Sequence, residues 1–252
     1  MTASIIEVRE LSKSFGAQRV LDNVDLGFEA GLIHFVLGRS GAGKSVLIKH
    51  MVGLLSPDRG EVRYDGESVA TLDGERLRDL RRRCQLIFQH PTLFEHLSVL
   101  ENIAMPLQKR FHKSASESRE LAEAALVDVD AQDARDLMPM QIGQGVQKRV
   151  TVARALALKP ETLLYDEPTT GLDPVSARRL DRTIQRACRE RGVTSVVVSH
   201  DLSSVEAIAE RVVFLSHARV AFDGTTEAWS RCQMPDVVAF RGGTKRWRPD
   251  RD

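Results

Sequence analysis

The run Gly38-Arg39-Ser40-Gly41-Ala42-Gly43-Lys44-Ser45 constrains what this chain folds into more than any other part of it. It fits G-x-x-x-x-G-K-[ST], a loop whose glycines let the backbone close around an oxyanion. Its flanks agree with that geometry. Residues 32–37 read as a short buried strand, and Val46, Leu47, Met51, Leu54 and Leu55 then recur at helical spacing. Strand, loop and helix in this order aim successive backbone N–H groups, and the positive end of a helix dipole, at one spot. Lys44 would reach the outer phosphates of a nucleotide, and the Ser45 hydroxyl would hold Mg²⁺.

The rest of the chain alternates two kinds of pattern. Between residues 5 and 64 the reading is mostly strand, with Val24, Leu26 and Phe28 set against Asp25 and Glu29. Further β-rich runs fall at residues 85–88, 162–165, 194–198 and 211–215. Helical patterns separate the later ones, which predicts a parallel sheet wrapped by helices. From about 90 to 149 strand signals vanish, and Ser98-x-x-Glu101 and Ser114-x-x-Glu117 each predict a capping box opening a helix. The chain therefore reads as one α/β domain. Residues 1–89 and 150–240 form the core with its β-rich part, and 90–149 form a helical insertion. A basic tail over 241–252 carries Arg241, Lys245, Arg246, Arg248 and Arg251, with little apolar surface to anchor it.

Composition excludes several functions. Lys+Arg number 36 against 35 Asp+Glu, a net charge of +1, and aromatics are 5%; neither a basic footprint nor a stacking platform for nucleic acid is present. The first residues carry no basic and apolar leader, and no apolar run approaches the roughly 18 residues a membrane span needs. Cys84, Cys188 and Cys232 are far apart and form no C-x-x-C pair, as expected of a reduced, cytoplasmic compartment. Cys188 shares a helical face with Leu180 and Ile184, where a thiol acts as a small hydrophobe.

Leu163-Leu164-Tyr165-Asp166-Glu167 is an apolar strand ending in two carboxylates. Adjacent side chains at a strand end diverge, so one carboxylate can complete a Mg²⁺ shell while the other orients water, as phosphoryl chemistry requires. With these residues the chain resembles the ATP-binding subunits of ABC transporters over nearly its whole length. The resemblance implies a RecA-like P-loop nucleotidase core, an N-terminal antiparallel β subdomain and a helical subdomain carrying the signature, with ATP and Mg²⁺ as ligands. It further implies ATP contacts from Gly38, Arg39, Ser40, Gly41, Ala42, Gly43, Lys44, Ser45 and Val46, and an adenine stack on Phe15. It makes Glu167 the catalytic glutamate and His200 the switch histidine. Gln89 would touch Mg²⁺ and the attacking water, the metal being shared with Ser45 and Asp166. Asp173, in Gly171-Leu172-Asp173-Pro174, would lie in the D-loop that crosses to a partner protomer. The other histidines (His34, His50, His90, His96, His112, His217) have no such context.

One motif departs from that family. Where Leu-Ser-Gly-Gly-Gln is expected, the chain has Ile142-Gly143-Gln144-Gly145-Val146, followed by an intact basic helical stretch, Gln147-Lys148-Arg149-Val150. Gly143 removes the hydroxyl that would donate to the γ-phosphate held by the opposite protomer. Gln144 puts a long side chain where bare backbone is expected to approach closely. Losing one hydrogen bond to a charged group costs about 1.5–3 kcal/mol, or about ten- to a hundredfold in turnover. An identical partner, the leading reading, would give two weakened sites; a different partner would give one strong site and one weak.

The phosphate loop's Gly-Arg-Ser opening, the valine after Ser45, the stretch 98–107 and the ending Met234-Pro235-Asp236-Val237-Val238-Ala239-Phe240 resemble the ATPases of Mla and Mce lipid transporters. That resemblance implies a subunit on the cytoplasmic face of the inner membrane, bound to a permease and an Mce-type protein, that energises movement of phospholipid or sterol-like lipid. The stretch after Gln89, with Leu93, Phe94 and Leu97, would receive the permease's coupling helix. Two other readings share the motifs: the ATPase of a different ABC importer, and a non-hydrolysing regulatory subunit. The set Lys44, Asp166, Glu167 and His200 speaks against the second.

Overall fold

The computed structural model describes residues 4–244. Two long strands, β1 (Ser4–Phe15) and β2 (Gln18–Glu29), form an antiparallel hairpin, and β3 (Ile33–Gly38) runs from it into the phosphate loop and α1 (Lys44–Met51). The strands β4 (Arg59–Tyr64) and β5 (Glu67–Ser68) complete a four-stranded antiparallel sheet of order β2-β1-β4-β5. Helix α2 (Gly74–Arg83) leads into β6 (Cys84–Ile87). Then come three helices without a strand between them, α3 (Val99–Phe111), α4 (Ala115–Asp128) and α5 (Gln144–Leu156). The chain closes with β7 (Thr162–Asp166), α6 (Pro174–Arg191), β8 (Thr194–Ser199), α7 (Leu202–Ile208), β9 (Arg211–Ser216), β10 (Arg219–Thr225), α8 (Thr226–Arg231) and α9 (Pro235–Thr244).

The second sheet has the order β10-β9-β3-β8-β7-β6, with β10 antiparallel at its edge and the other five strands parallel. Strands β3, β7 and β8 are buried along their whole length because both faces are covered, which is why they read as unbroken apolar runs. Their side chains alternate between two cores. Phe35, Leu37, Leu163, Tyr165 and Val197 face the helical side with α3 to α6, while Val36, Leu164, Val196 and Val198 face α1 and the antiparallel sheet. Edge strand β10 is half-exposed with a register break between Val220 and Phe222, so it lacks the periodicity that marks the others.

Ser98 closes a full capping box with Glu101 at the start of α3. The expected box at Ser114 is half made. Its hydroxyl accepts from the Glu117 N–H at 3.2 Å, but the Glu117 carboxylate pairs with Lys113 instead of returning to the cap. Rings of Phe214, Phe222, Trp229 and Phe240 pack together, with Phe214 and Phe240 centred 5.1 Å apart, and hold α8 and α9 on the sheet. Cys188 is buried as expected. Of the basic tail, Arg241 lies in α9 and donates to the Trp229 carbonyl at 2.9 Å; Lys245, Arg246, Arg248 and Arg251 lie outside the described residues.

Candidate functional site

Parallel pairing of β3, β8 and β7 brings Gly38, Ser199 and Asp166 to the same sheet edge, at the carboxyl ends where ligands of open α/β sheets bind. The phosphate loop opens there. Gly41 and Gly43 have φ of +80° and +91°, a region that favours glycine. A Cβ on Gly43 would stand 2.7 Å from the Val20 carbonyl oxygen, and one on Gly38 would stand 2.8 Å from the Leu215 carbonyl oxygen. The loop is thus a bare-backbone cradle fixed by its neighbours. Lys44, buried at the start of α1, donates to the carbonyls of Gly38 at 2.9 Å and Arg39 at 3.3 Å.

The two carboxylates at the end of β7 diverge as expected. Asp166 Oδ1 accepts the Ser45 hydroxyl at 2.6 Å. Glu167 turns the other way: it lies 3.4 Å from the Lys44 ammonium and 2.8 Å from His200 Nδ1, and accepts from the Thr170 hydroxyl at 3.1 Å. Its φ is +49°, a left-handed backbone rare outside glycine and concentrated at functional sites. Gln89 lies two residues beyond the end of β6, whose last residue Ile87 pairs with Tyr165 of β7. Phe15 ends β1 with its ring half exposed and the Lys13 ammonium 5.6 Å from its centroid. Val20 of the same hairpin packs against the phosphate loop at Gly43.

The donor set fits Mg²⁺. Among the described residues no three His, Cys, Asp or Glu side chains gather as a metal cage. Mg²⁺ needs none: it takes one or two carboxylates and fills the remaining positions with phosphate oxygens and water. The Ser45 hydroxyl and Asp166 carboxylate supply such a pair.

Residues 143–145 form the start of α5, against the loop and helix that follow Glu167. Gly143 caps α5 with an extended backbone (φ −66°, ψ 156°) and no side-chain hydrogen bond. A Cβ there meets nothing within 4 Å, whereas one on Gly145 would stand 2.7 Å from the Ser176 hydroxyl. The Gln144 carboxamide lies against Gly171, about van der Waals distance from where a Cβ would be, at 3.5 Å. Asp173 caps α6, accepting from the N–H groups of Val175 and Ser176 at 2.9 and 3.0 Å. Bonds from Ser176 hold its carboxyl below the usual range.

Two contacts and one burial were not foreseen from sequence. Thr170 binds Glu167; Thr169 donates to Asp201 at 3.3 Å; and Lys148, read as part of a basic stretch, is buried. Its position was readable, since Val152 and Ala155 share its helical face and are buried as well. His34 and His50 are core histidines, and burial pulls both below the ordinary imidazole range. Of the three apolar residues after Gln89, Phe94 lines a groove of about 500 Å³ with Phe88, Met105, Pro106 and Arg154, while Leu93 packs on the helical core. Leu97 does not line that groove.

The bare-backbone cradle with Lys44, the two carboxylates ending β7 and His200 against Glu167 gather at one sheet edge. The ABC transporter family profile matches residues 21–170, and the chain belongs to that family as an ATP-binding, ATP-hydrolysing transporter subunit. It is 34% identical over 243 residues to the intermembrane phospholipid transport system ATP-binding protein MlaF of Haemophilus influenzae, covering 96% of this chain and 92% of the relative. It is 38% identical over 242 residues to the sulfate/thiosulfate import ATP-binding protein CysA of Bordetella parapertussis, covering 94% and 67%. Among solved structures, the dimeric post-hydrolysis state of the ATP-binding cassette MJ0796 bound to ADP and Pi superposes with a TM-score of 0.79. It shares 30% identity and covers 88% of this chain and 98% of that one.

Proposed function

We propose that this chain drives a lipid transporter, binding ATP between its own phosphate loop and the α5 start of an identical second protomer. The observation that carries the catalytic part is the contact set Lys44–Glu167–His200 and Ser45–Asp166 at one sheet edge. In this reading the backbone of 38–43 and Lys44 bind the β- and γ-phosphates, and Phe15 stacks on adenine. Ser45, Asp166 and Gln89 hold Mg²⁺, which supplies charge neutralisation of the phosphates. Glu167 polarises the attacking water and accepts its proton, while His200 and Lys44 orient that carboxylate. Asp173 and the rest of its loop face the partner protomer.

Lipid cargo is supported by similarity to MlaF over nearly the whole of both chains. The CysA relative, at comparable identity, keeps import of a small anion as the second reading. Substrate choice belongs to other subunits, so the groove bearing Phe88 and Phe94 matters here as the seat for a permease segment. No helix among the described residues is long and apolar enough to cross a membrane, which fits peripheral attachment through the permease.

The test is gentle solubilisation of native membranes, capture of the tagged chain and mass spectrometry of what accompanies it. A permease with Mce-type proteins, and no other ATP-binding chain, is the expected result. A sulfate-type permease would overturn the lipid assignment. A second ATP-binding subunit with an intact signature would replace the identical partner.

A further inference from the structure

Among the described residues two lysines are buried, Lys44 in the phosphate loop and Lys148 in the second turn of α5. No role considered so far uses Lys148. Its ammonium donates to the carbonyls of Pro168 and Thr170, both at 2.7 Å. Those carbonyls belong to the loop directly after Glu167, and the Thr170 hydroxyl in turn donates to the Glu167 carboxylate. One cation thus clamps both ends of the three-residue segment that holds Glu167 in its left-handed conformation. Such a backbone persists where its surroundings over-determine it. Burial lowers the proton affinity of Lys148, an effect the nearby Glu167 charge opposes. An apolar side chain in this place would leave both carbonyls without that donor.

We propose that Lys148 is a positioning residue for the Glu167 carboxylate, joining the signature helix to the catalytic loop; this rests on the reading of Glu167 as the water-polarising group. The α5 start faces the partner's nucleotide while Glu167 serves the nucleotide on its own phosphate loop. Lys148 therefore ties the two sites of a dimer through one side chain. Gln144 against Gly171 and Gly145 against Ser176 reinforce the same seam.

The experiment compares full-length wild type, Lys148→Met, Lys148→Arg and Glu167→Gln for ATP turnover, nucleotide affinity and thermal midpoint. Lys148→Met is expected to lower kcat about ten- to a hundredfold, the scale of a small misplacement of a reacting group. Its nucleotide affinity should stay near wild type, while its thermal midpoint falls because two carbonyls lose their donor. Lys148→Arg, which has donors for both carbonyls, should recover most of the turnover. If Lys148→Met does not fold, Lys148→Gln takes its place under the same criteria. Wild-type kcat in the Met or Gln variant overturns the inference. So does a loss of turnover that merely tracks the fall in midpoint across the Met, Gln and Arg variants, because that is a purely structural lysine. If Glu167→Gln still turns over, the reading of Glu167 fails; if it is dead while Lys148→Met is active, the lysine inference alone fails.

Discussion

Helices α1 and α5 both begin at a glycine with no side-chain cap, and the two glycines are there for different reasons. Gly43 is forced: its backbone is left-handed, and a Cβ would collide with the Val20 carbonyl and the Leu21 side chain. Gly143 is not. Its backbone is extended, and a side chain there would meet open space. Elsewhere α3, α4, α6, α7 and α8 begin with a Ser, Asp or Thr side chain on their first free N–H groups. Free N–H groups at α1 are therefore an anion cradle the fold builds for itself. At α5 the same opening is bare although nothing steric forbids a side chain there. Gly145, two residues on, is held to glycine by Ser176, whose hydroxyl would stand 2.7 Å from an added Cβ.

The largest effect should come from the complete half. Glu167→Gln keeps the shape and removes the base, and turnover should fall about 10²–10⁴-fold. Nucleotide affinity should stay within about threefold; a variant retaining a tenth of wild-type rate would break the assignment of this end as the catalytic one. Next comes a matched pair. Gly43→Ala meets left-handed strain of about 1–2 kcal/mol and overpacking of about 1–3 kcal/mol, and should lose ATP binding more than tenfold. Gly143→Ala should stay within about 0.5 kcal/mol in stability and leave binding unchanged. Isothermal titration and chemical denaturation on the two variants measure the contrast directly. Equal losses would show that α5 also needs bare backbone at its cap.

Much of this was legible because it follows from local rules. The phosphate loop, the strands ending at Asp166 and Ser199 and the helices opening at Ser98 and Ser114 are each fixed by spacing within about ten residues. Contacts between segments were not. Glu117 abandons Ser114 because Lys113, one residue before the cap, competes for its carboxylate. Strand β10 is held by pairing with β9 and by Phe222 against Trp229, not by its own pattern. The helical face of Lys148 shows that it is buried, but its partners, the carbonyls of Pro168 and Thr170, are set only once the loop after Glu167 is folded over it. The Gln144 side chain, expected to crowd the approach of a ligand, rests on Gly171 of its own chain.

Because Gly143 has room, Gly143→Ser should restore a donor to the phosphate in the partner's site without disturbing the fold. The gain should be about 1.5–3 kcal/mol of interaction, read as about ten- to a hundredfold faster turnover or tighter ATP-driven dimerisation. Stability should change by only a few tenths of a kcal/mol, the usual difference between Gly and Ser at a cap. The discriminating measurement is sedimentation of the dimer in a Glu167→Gln background, with and without the serine. No tightening would mean that Gln144 already supplies the missing bond, and the added variant Gln144→Ala would then weaken the dimer.

The smallest effects belong to the capped helices and separate stability from function. Ser98 and Glu101 satisfy each other's donors, so Ser98→Ala removes a full box and should cost about 1–2 kcal/mol. Ser114→Ala removes half of one and should cost about 0.5–1 kcal/mol, since Glu117 remains engaged by Lys113. Neither helix start lies at the sheet edge that holds Lys44 and Glu167, so turnover per folded molecule should be unchanged in both variants. Denaturant midpoints and active-site-normalised rates together test this. If Ser98→Ala slows turnover while folded, the α3 start takes part in transmission from the neighbouring groove. That would follow from Asn102, one turn into α3, which accepts from the Phe94 N–H at 2.7 Å and so ties the capped end to a residue lining that groove.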